Sequence, residues 1–347
     1  MKVLIRGVGL LGTSLGLALS QIGAQVFLED LDPGAVKIAE GMGAGSGRPV
    51  VDPDVVFVAV PPQAIAAVVA DALTTYPNAT VSDVASVKGQ PLLVLVGQDL
   101  SRYVPGHPMA GREISGAAAG RGDLFEDRPW ILTPTRETEP SRLEQIAAIA
   151  EQLHAVVRIM DADEHDRAVA LCSHAPQVVA SLLAGQLVGA STIDVSVAGP
   201  GVRDTTRIAA SDPLLWAQIL AANSEHVDLH LAAFAADVEE FREALRGSDT
   251  NTIQALLARG VEGRGRLPGK HGGEAADFVT VSVVIEDAPG QLAALFHRAG
   301  EAGVNLEDVR IEHTLGRLRA IAHLVVRPEL ENTLRGSLME GGWQLRG

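Results

Sequence analysis

Lys2–Asp30, KVLIRGVGLLGTSLGLALSQIGAQVFLED, is the stretch on which the fold reading turns. A short apolar run, Lys2–Ile5, meets Gly7, Val8, Gly9, Leu10, Leu11 and Gly12; a helical stretch, Thr13–Ile22, and a second apolar run, Gln25–Leu28, follow. Strand, glycine turn, helix, strand is the pattern of a dinucleotide-binding unit. The glycines let a pyrophosphate approach the backbone, and the helix start offers free amides at the positive end of its dipole. The six turn residues are therefore candidate cofactor contacts. The second run ends in Glu29-Asp30, about 20 residues beyond the glycines, where a ribose-binding acid is expected. Val26, Leu28 and Asp30 share one strand face, which selects Asp30 and leaves Glu29 as a solvated strand-end charge. A carboxylate there accepts from a ribose 2'-hydroxyl and repels a 2'-phosphate, so NAD is expected over NADP.

Further strands are legible downstream. Val55–Val60 runs into Pro61-Pro62, Thr80–Val84 into Ala85-Ser86-Val87-Lys88-Gly89, and Arg102–Val104 into the loop GHPMAGREISG, Gly106–Gly116. Continuous apolar runs separated by helices such as Gln63–Leu73 predict an α/β fold of Rossmann type with a parallel sheet. In such a sheet ligands bind beyond the carboxyl ends of the strands. The glycine turn, Asp30, Val60, Pro61, Ser86 and His107 all fall there. Pro105, Gly106 and Pro108 exclude a helix around His107 and place it in a loop at a strand end. Ser86 reads either as a turn hydroxyl or as a group beside the nicotinamide or the base. Lys88 reads either as a phosphate or substrate contact or as a solvated charge. Trp130–Thr133 and Val156–Ile159 are expected to extend the same sheet, with Ser141–Leu153 as the helix between them. Together these give a nucleotide domain over 1–160.

From 161 to 262 the pattern turns all-helical. Asp161–Val188 has an acidic start suited to a helix N-terminus and an apolar body holding Cys172, His174 and Pro176. Helix continues over Asp212–Gly247 and Thr250–Arg259. Val178–Val188 is more apolar than one small bundle needs, so a homodimer interface is inferred. His174 reads as a core histidine or a site residue. Gly199-Pro200-Gly201 opens a helix that carries Arg203, Asp204 and Arg207; these arginines are either surface ion pairs with Asp204 or Asp212, or anion ligands. Gly260–Gly273 reads as a basic, glycine-rich linker. The remainder, 277–347, alternates as a ferredoxin-like βαββαβ unit.

Composition sets the outer bounds. With 347 residues, 47% of them hydrophobic, the chain can bury two or three cores. A net charge of −15 without charge blocks argues against nucleic acid or an anionic membrane as partner, so an anionic substrate needs local arginines. One cysteine precludes an internal disulfide, and no spacing suggests a metal site. No leader and no 18-residue apolar span is read, so the expected location is cytoplasmic.

Five segments carry a closer resemblance: GVGLLG (7–12), SDVASVKG (82–89), GHPMAG (106–111), SHAPQVVA (173–180) and GPGVRDTTRIAASDP (199–213). In this order they resemble the prephenate/arogenate dehydrogenase family of tyrosine biosynthesis. The resemblance implies an NAD(P)-dependent oxidative decarboxylation of prephenate, with arogenate as the alternative substrate. It makes His107 the catalytic histidine, Ser86 an active-site serine, His174, Asp204 and Arg207 further active-site residues, and Glu113 a polar substrate contact. Arg112 sits at a position that varies in the family, which leaves the choice of substrate open. A neutral histidine suits removal of a hydroxyl proton near neutral pH, and a guanidinium suits a carboxylate; Arg207 is the first choice for the ring carboxylate, with Arg203 or Arg112 behind it. IEDAPGQLAALF (285–296) and AGVNLEDVRIEH (302–313) resemble the ACT regulatory module. That resemblance implies an amino-acid effector such as tyrosine, at Asp287, Gly290 and Asn305. A β-hydroxyacid dehydrogenase, the rival enzyme, should carry a lysine and an asparagine one helical turn apart in its second domain; residues 161–259 contain no lysine. A nucleotide-sensing regulator would leave His107, His174 and Arg207 without purpose.

Overall fold

The computed structural model describes residues 1–112, 114–267, 278–313 and 319–346, which form two compact units, Met1–Ala236 and Asp237–Gly347. The first unit begins β1 (Lys2–Arg6), α1 (Leu10–Gln21), β2 (Gln25–Glu29), α2 (Pro33–Met42), β3 (Val55–Val58), α3 (Ile65–Thr75), β4 (Thr80–Asp83), α4 (Gly89–Val94) and β5 (Tyr103–Val104). The five strands form a parallel sheet in the order β2-β1-β3-β4-β5. Val3, Ile5 and Phe57 pack with Leu15 and Leu19 in one core; Leu4, Val56 and Val58 pack with Ile65, Val69 and Leu73 in the other. Cores on both faces explain why β3 is apolar at every position. The strand order reverses between β1 and β3, which is where a doubly wound sheet opens a crevice for a ligand.

Two expectations for the next segment need correction. His107 lies in a short strand rather than a loop: β6 (Gly106–Pro108) pairs antiparallel with β7 (Pro129–Leu132), His107 opposite Ile131. The prolines that forbid a helix are compatible with extended backbone, and the chain stays extended past Pro105. In addition, β7 and β8 (Val156–Ile159), joined by α5 (Pro140–Gln152), do not extend the parallel sheet. They form a separate three-stranded sheet, β6-β7-β8. Apolar runs specify strands but not their partners.

The helical region follows as α6 (Ala162–Val169), a π-helical turn (Ala170–His174), α7 (Ala175–Gln186), α8 (Thr192–Ser196), α9 (Pro200–Thr206), a 3₁₀ turn (Arg207–Ala210), α10 (Pro213–Ala222), α11 (Ser224–Arg246) and α12 (Thr250–Gly265). Asp161 and Glu164 close a reciprocal capping box on α6. Pro176 has no N–H to donate four residues back, and the backbone widens there so that the Ala175 amide reaches the Ala170 carbonyl. The helix is not broken. Ala162–Gly189 therefore runs continuously for 28 residues, and an 18-residue window within it reaches a mean hydropathy of 1.4, long and apolar enough to cross a membrane by those two measures. The sequence reading expected no apolar span of 18 residues; this helix meets that measure by length and composition alone. The linker reading is also corrected in part. Gly260, Gly263 and Gly265 belong to α12, while 268–273 fall outside the described residues.

The second unit ends in β9 (Val279–Glu286), α13 (Gln291–Glu301), β10 (Asp308–His313), β11 (Arg319–Val326), α14 (Glu331–Glu340) and β12 (Gln344–Arg346). Its antiparallel order β10-β11-β9-β12 is that of a ferredoxin-like βαββαβ fold. Strict alternation along β9 and β11 sends Val281, Val283, Ala322 and Leu324 into a core with Leu295 and Leu334.

Candidate active site

The glycine turn after β1 is shaped by two different demands. Gly7 has a φ of +99°, and a Cβ there would sit 2.4 Å from the Ala59 carbonyl oxygen beyond β3, so the fold itself excludes any side chain. Gly9 is different: a Cβ would meet nothing within 4 Å, and no side chain caps the α1 amides that start beside it. Open space over unspent helix N–H groups is a cradle for an anionic pyrophosphate. Asp30 closes the same turn. Its Oδ2 accepts from the Val8 amide at 2.6 Å and its Oδ1 from the Asp32 amide at 2.8 Å. Glu29 points elsewhere, accepting from the Arg6 guanidinium at 2.9 Å. Val8 is buried, Leu10, Leu11 and Val60 are half-buried, and Pro61 is exposed where β3 ends.

Beyond the carboxyl end of β4, two strands along the sheet from β1, lies a buried polar chain. His107, 8% exposed, meets His165 of α6, with Nδ1 to Nε2 at 2.8 Å and the rings edge to face. His165 Nδ1 lies 2.8 Å from Asp166 Oδ1, which also accepts from the Lys88 amide at 2.8 Å; Asp166 Oδ2 accepts from the Gly89 amide at 2.7 Å. These contacts fix the proton positions. Three donors on Asp166 require an ionised carboxylate, so His165 carries its proton on Nδ1 and offers Nε2 as an acceptor. His107 must then donate from Nδ1, which leaves its Nε2 with a lone pair. Burial alone would raise the Asp166 carboxyl, but the bonds from His165 and the two amides outweigh it and hold the group below its ordinary value. Burial, then His165, Lys88 and His174, keep His107 well below the usual imidazole range, so it is neutral at pH 7.

His174 joins the same chain from the other side. Asn223 Nδ2 donates to the Asp166 carbonyl at 2.7 Å and lies 3.1 Å from His174 Nδ1. A reversed amide would set oxygen against oxygen at Asp166, so Asn223 donates to both and His174 keeps its proton on Nε2. The imidazole also meets Trp216 edge to face, and burial lowers its pKa to about 4. The core reading of His174 is thus met by a buried, hydrogen-bonded ring.

Other candidates are placed less tightly. Ser86 is half-buried in the β4–α4 loop, between Asp83 and Lys88. Arg203 and Asp204 lie exposed on α9. Arg207 starts the following turn, also exposed, and that turn is tied to α7 by Gln177 Nε2 donating to the Ile208 carbonyl at 3.1 Å. Asp212 caps α10 by accepting from the Leu214 amide. Arg112 donates to the Ala119 carbonyl at 3.0 Å, and Glu113 lies outside the described residues. Lys88 is 1% exposed and paired with Asp83, which removes the solvated-charge reading. Among the described residues no cluster of three histidines, cysteines or carboxylates could hold a metal. A hollow of about 310 Å³ lined by Met1, Ile22, Gln145 and Ile149 lies at the opposite end of the strands, without histidine or carboxylate; chemistry, not concavity, marks the site.

Sequence reasoning missed His165, Asp166 and Asn223. One signal was available. His165, Asp166, Val169, Ala170 and His174 recur at helical spacing and are all buried, so two polar residues of an acidic helix start sit on its inward stripe.

Comparison with known proteins identifies the two domains of the first 259 residues. Residues 15–159 match the family model "Prephenate dehydrogenase, nucleotide-binding domain", and 161–259 match "Prephenate dehydrogenase, dimerization domain". The probable prephenate dehydrogenase NovF of Streptomyces niveus is 35% identical over 322 residues, 88% of this chain and 89% of its own. Among solved structures, prephenate dehydrogenase of A. aeolicus in complex with hydroxyphenyl propionate and NAD+ aligns with a TM-score of 0.69 at 29% identity. The alignment covers 76% of this chain and 97% of the other. Synechocystis arogenate dehydrogenase aligns with a TM-score of 0.64 at 25% identity, covering 76% and 99%. On these matches, and with its glycine cradle and buried histidine chain, the protein belongs to the prephenate dehydrogenase family.

Proposed function

We propose that the protein is an NAD-dependent prephenate dehydrogenase, converting prephenate and NAD to 4-hydroxyphenylpyruvate, carbon dioxide and NADH. The observation that carries this reading is the neutral His107, with Nε2 bare, in a buried chain beyond the carboxyl ends of the sheet that carries the dinucleotide cradle. NAD, when bound at Gly7–Gly12 and Asp30, supplies the hydride acceptor. His107 Nε2 takes the proton of the ring hydroxyl as the carbinol carbon gives up hydride. The ring carboxylate leaves as carbon dioxide, its bonding pair entering the ring. His107 then returns the proton to the oxygen, so the phenol forms and no net proton is released. While His107 is cationic, its Nδ1–H leans on His165 and, through it, on ionised Asp166, the arrangement in which a carboxylate orients and steadies an imidazolium. A dianionic substrate beside His107 also raises its affinity for the proton above that of the free site.

Arg207 is assigned to the ring carboxylate through its planar pair of donors, with Arg203 and Asp204 on the same helical segment beside it. Glu113 remains a substrate-contact assignment from sequence alone. His174, protonated on Nε2, is assigned as a donor to substrate oxygen, and Ser86 as a hydroxyl beside the nicotinamide or the base. A homodimer is supported by the dimerization model over 161–259 and by exposed apolar side chains on the same segment, Leu182, Leu183, Val188 and Leu214 among them. The same exposure gives the long helix a use other than crossing a membrane. For the βαββαβ unit we propose an ACT role with an amino-acid effector such as tyrosine. Gly290, at a φ of +89°, starts α13 after Asp287, and Asn305 precedes β10 near Glu307. The test is purified protein with NAD and either prephenate or arogenate, followed by NADH absorbance and product chromatography. NADH with 4-hydroxyphenylpyruvate supports the reading. Turnover of arogenate to tyrosine alone reassigns the substrate, and no turnover of either refutes it.

A further inference from the structure

A lysine ammonium buried away from water is costly, and an ion pair in that setting often stabilises a fold no better than apolar side chains of the same volume. Lys88 is such a group. It is 1% exposed and paired with Asp83, itself fully buried at the end of β4. Asp83 is held rigidly: Oδ2 accepts from the Tyr103 hydroxyl of β5 at 2.6 Å, and Oδ1 accepts from the Ala85 amide at 2.8 Å as well as from Lys88. From this anchor Lys88 Nζ donates to the Gly106 carbonyl at 2.5 Å, one peptide bond before His107. The Lys88 backbone amide, with that of Gly89, holds the two oxygens of Asp166. A Cβ on Gly89 would lie 2.9 Å from Asp166 Oδ2, so that contact leaves no room for a side chain.

We propose that Lys88 is a positioning residue for His107. Its ammonium fixes the backbone that carries the ring, and its amide fixes the carboxylate that orients the ring through His165. The assignment rests on reading His107 as the base. It explains why a charge is buried here at all: one residue clamps both ends of the His107–His165–Asp166 chain, which an apolar side chain of the same volume could not do. It also has an electrostatic consequence. The groups facing His107 are His165, Lys88 and His174, with Asp166 and Asp83 standing behind His165 and Lys88 respectively. The nearest fixed positive charge is therefore Lys88, which disfavours a proton on His107.

The test uses full-length Lys88→Met and the double variant Lys88→Met/Asp83→Asn. The second leaves no unpaired buried charge and keeps an acceptor for Tyr103. Each is compared with wild type and His107→Asn by thermal melting, NAD titration and pH profiles of kcat and kcat/KM with prephenate. We expect the double variant to fold and to bind NAD within about twofold of wild type. Its kcat should fall about 10- to 100-fold, the range for a slightly misplaced catalytic group, and the acid limb of kcat/KM should move to higher pH. A double variant with wild-type kcat, or with an unmoved acid limb at any kcat, overturns the assignment and leaves Lys88 a structural ion pair. A fully active His107→Asn protein instead refutes the base assignment beneath it, so the two failures are told apart.

Discussion

Replacing Asp166 by Asn probes the buried chain at its anchor. The carboxylate accepts three hydrogen bonds, two on Oδ1 and one on Oδ2. An amide offers one oxygen, and both orientations carry a cost. With its oxygen toward His165 and the Lys88 amide, its NH₂ faces the Gly89 amide donor against donor, and one charge-assisted bond, about 1.5 to 3 kcal/mol, is lost. With its NH₂ toward His165, that histidine must accept at Nδ1 and carry its proton on Nε2. His107 then accepts at Nδ1 and carries a proton on Nε2, the nitrogen that has to be bare. In the serine protease triad the corresponding carboxylate-to-amide change lowers kcat about 10⁴-fold through the wrong tautomer, roughly 5 kcal/mol of barrier. Because the first orientation remains accessible here, we expect a loss of about 10²- to 10⁴-fold in kcat with little change in NAD affinity. Stopped-flow NADH formation at saturating NAD and prephenate measures it directly. A kcat within tenfold of wild type would mean that His107 does not depend on Asp166 for its tautomer, and the relay would be discarded.

Asp30→Ala should weaken NAD binding and narrow its margin over NADP, because the acceptor for the ribose hydroxyl goes together with the repulsion of a 2'-phosphate. Unchanged preference in a fluorescence titration would shift the role to Glu29 or Asp32. Arg207→Lys should raise KM for prephenate nearly as much as Arg207→Ala, about ten- to a hundredfold, since lysine keeps the charge but not the parallel donors. Recovery of most of the KM by lysine would make Arg203 or Arg112 the better clamp. Stability should also fall with acid. His174 is buried neutral with a pKa near 4 against about 6.5 unfolded, so the unfolded chain binds more protons between those values. Its contribution is complete above about pH 6.5 and is lost as pH falls toward 4, on the order of 3 kcal/mol. His174→Gln should flatten the fall in urea midpoint over that window, and an unchanged slope would remove His174 as its source.

Most of the nucleotide-binding half could be read from the chain because its signals are local. Val55–Val58 is apolar at every position since both faces are covered, and the glycine turn and Asp30 keep family-independent spacing. His107 stood out as a lone histidine among prolines and glycines, although its strand pairing with Ile131 did not, since partner choice is set by tertiary contacts. For Lys88 the sequence left a ligand contact and a solvated charge open, not a buried ion pair. Nothing in SVKG says that its ammonium turns inward to Asp83 rather than out to water. His165 and Asp166 were hidden by company: in DADEHDRA an acidic helix start explains every charge through the dipole, and only the helical spacing to Val169 and Ala170 shows that these two face inward. The βαββαβ unit was legible from alternation along β9 and β11, which fixes the fold without fixing a ligand.

The most direct test of the account is His107→Asn, measured for kcat with prephenate and, separately, for NAD affinity by titration. Asparagine keeps a polar group near the same volume but cannot take a proton, so kcat should drop about 100-fold or more while the NAD dissociation constant stays within about twofold. A near-normal kcat with unchanged NAD binding would contradict the central claim that His107, held by His165 and Asp166, is the base of this site.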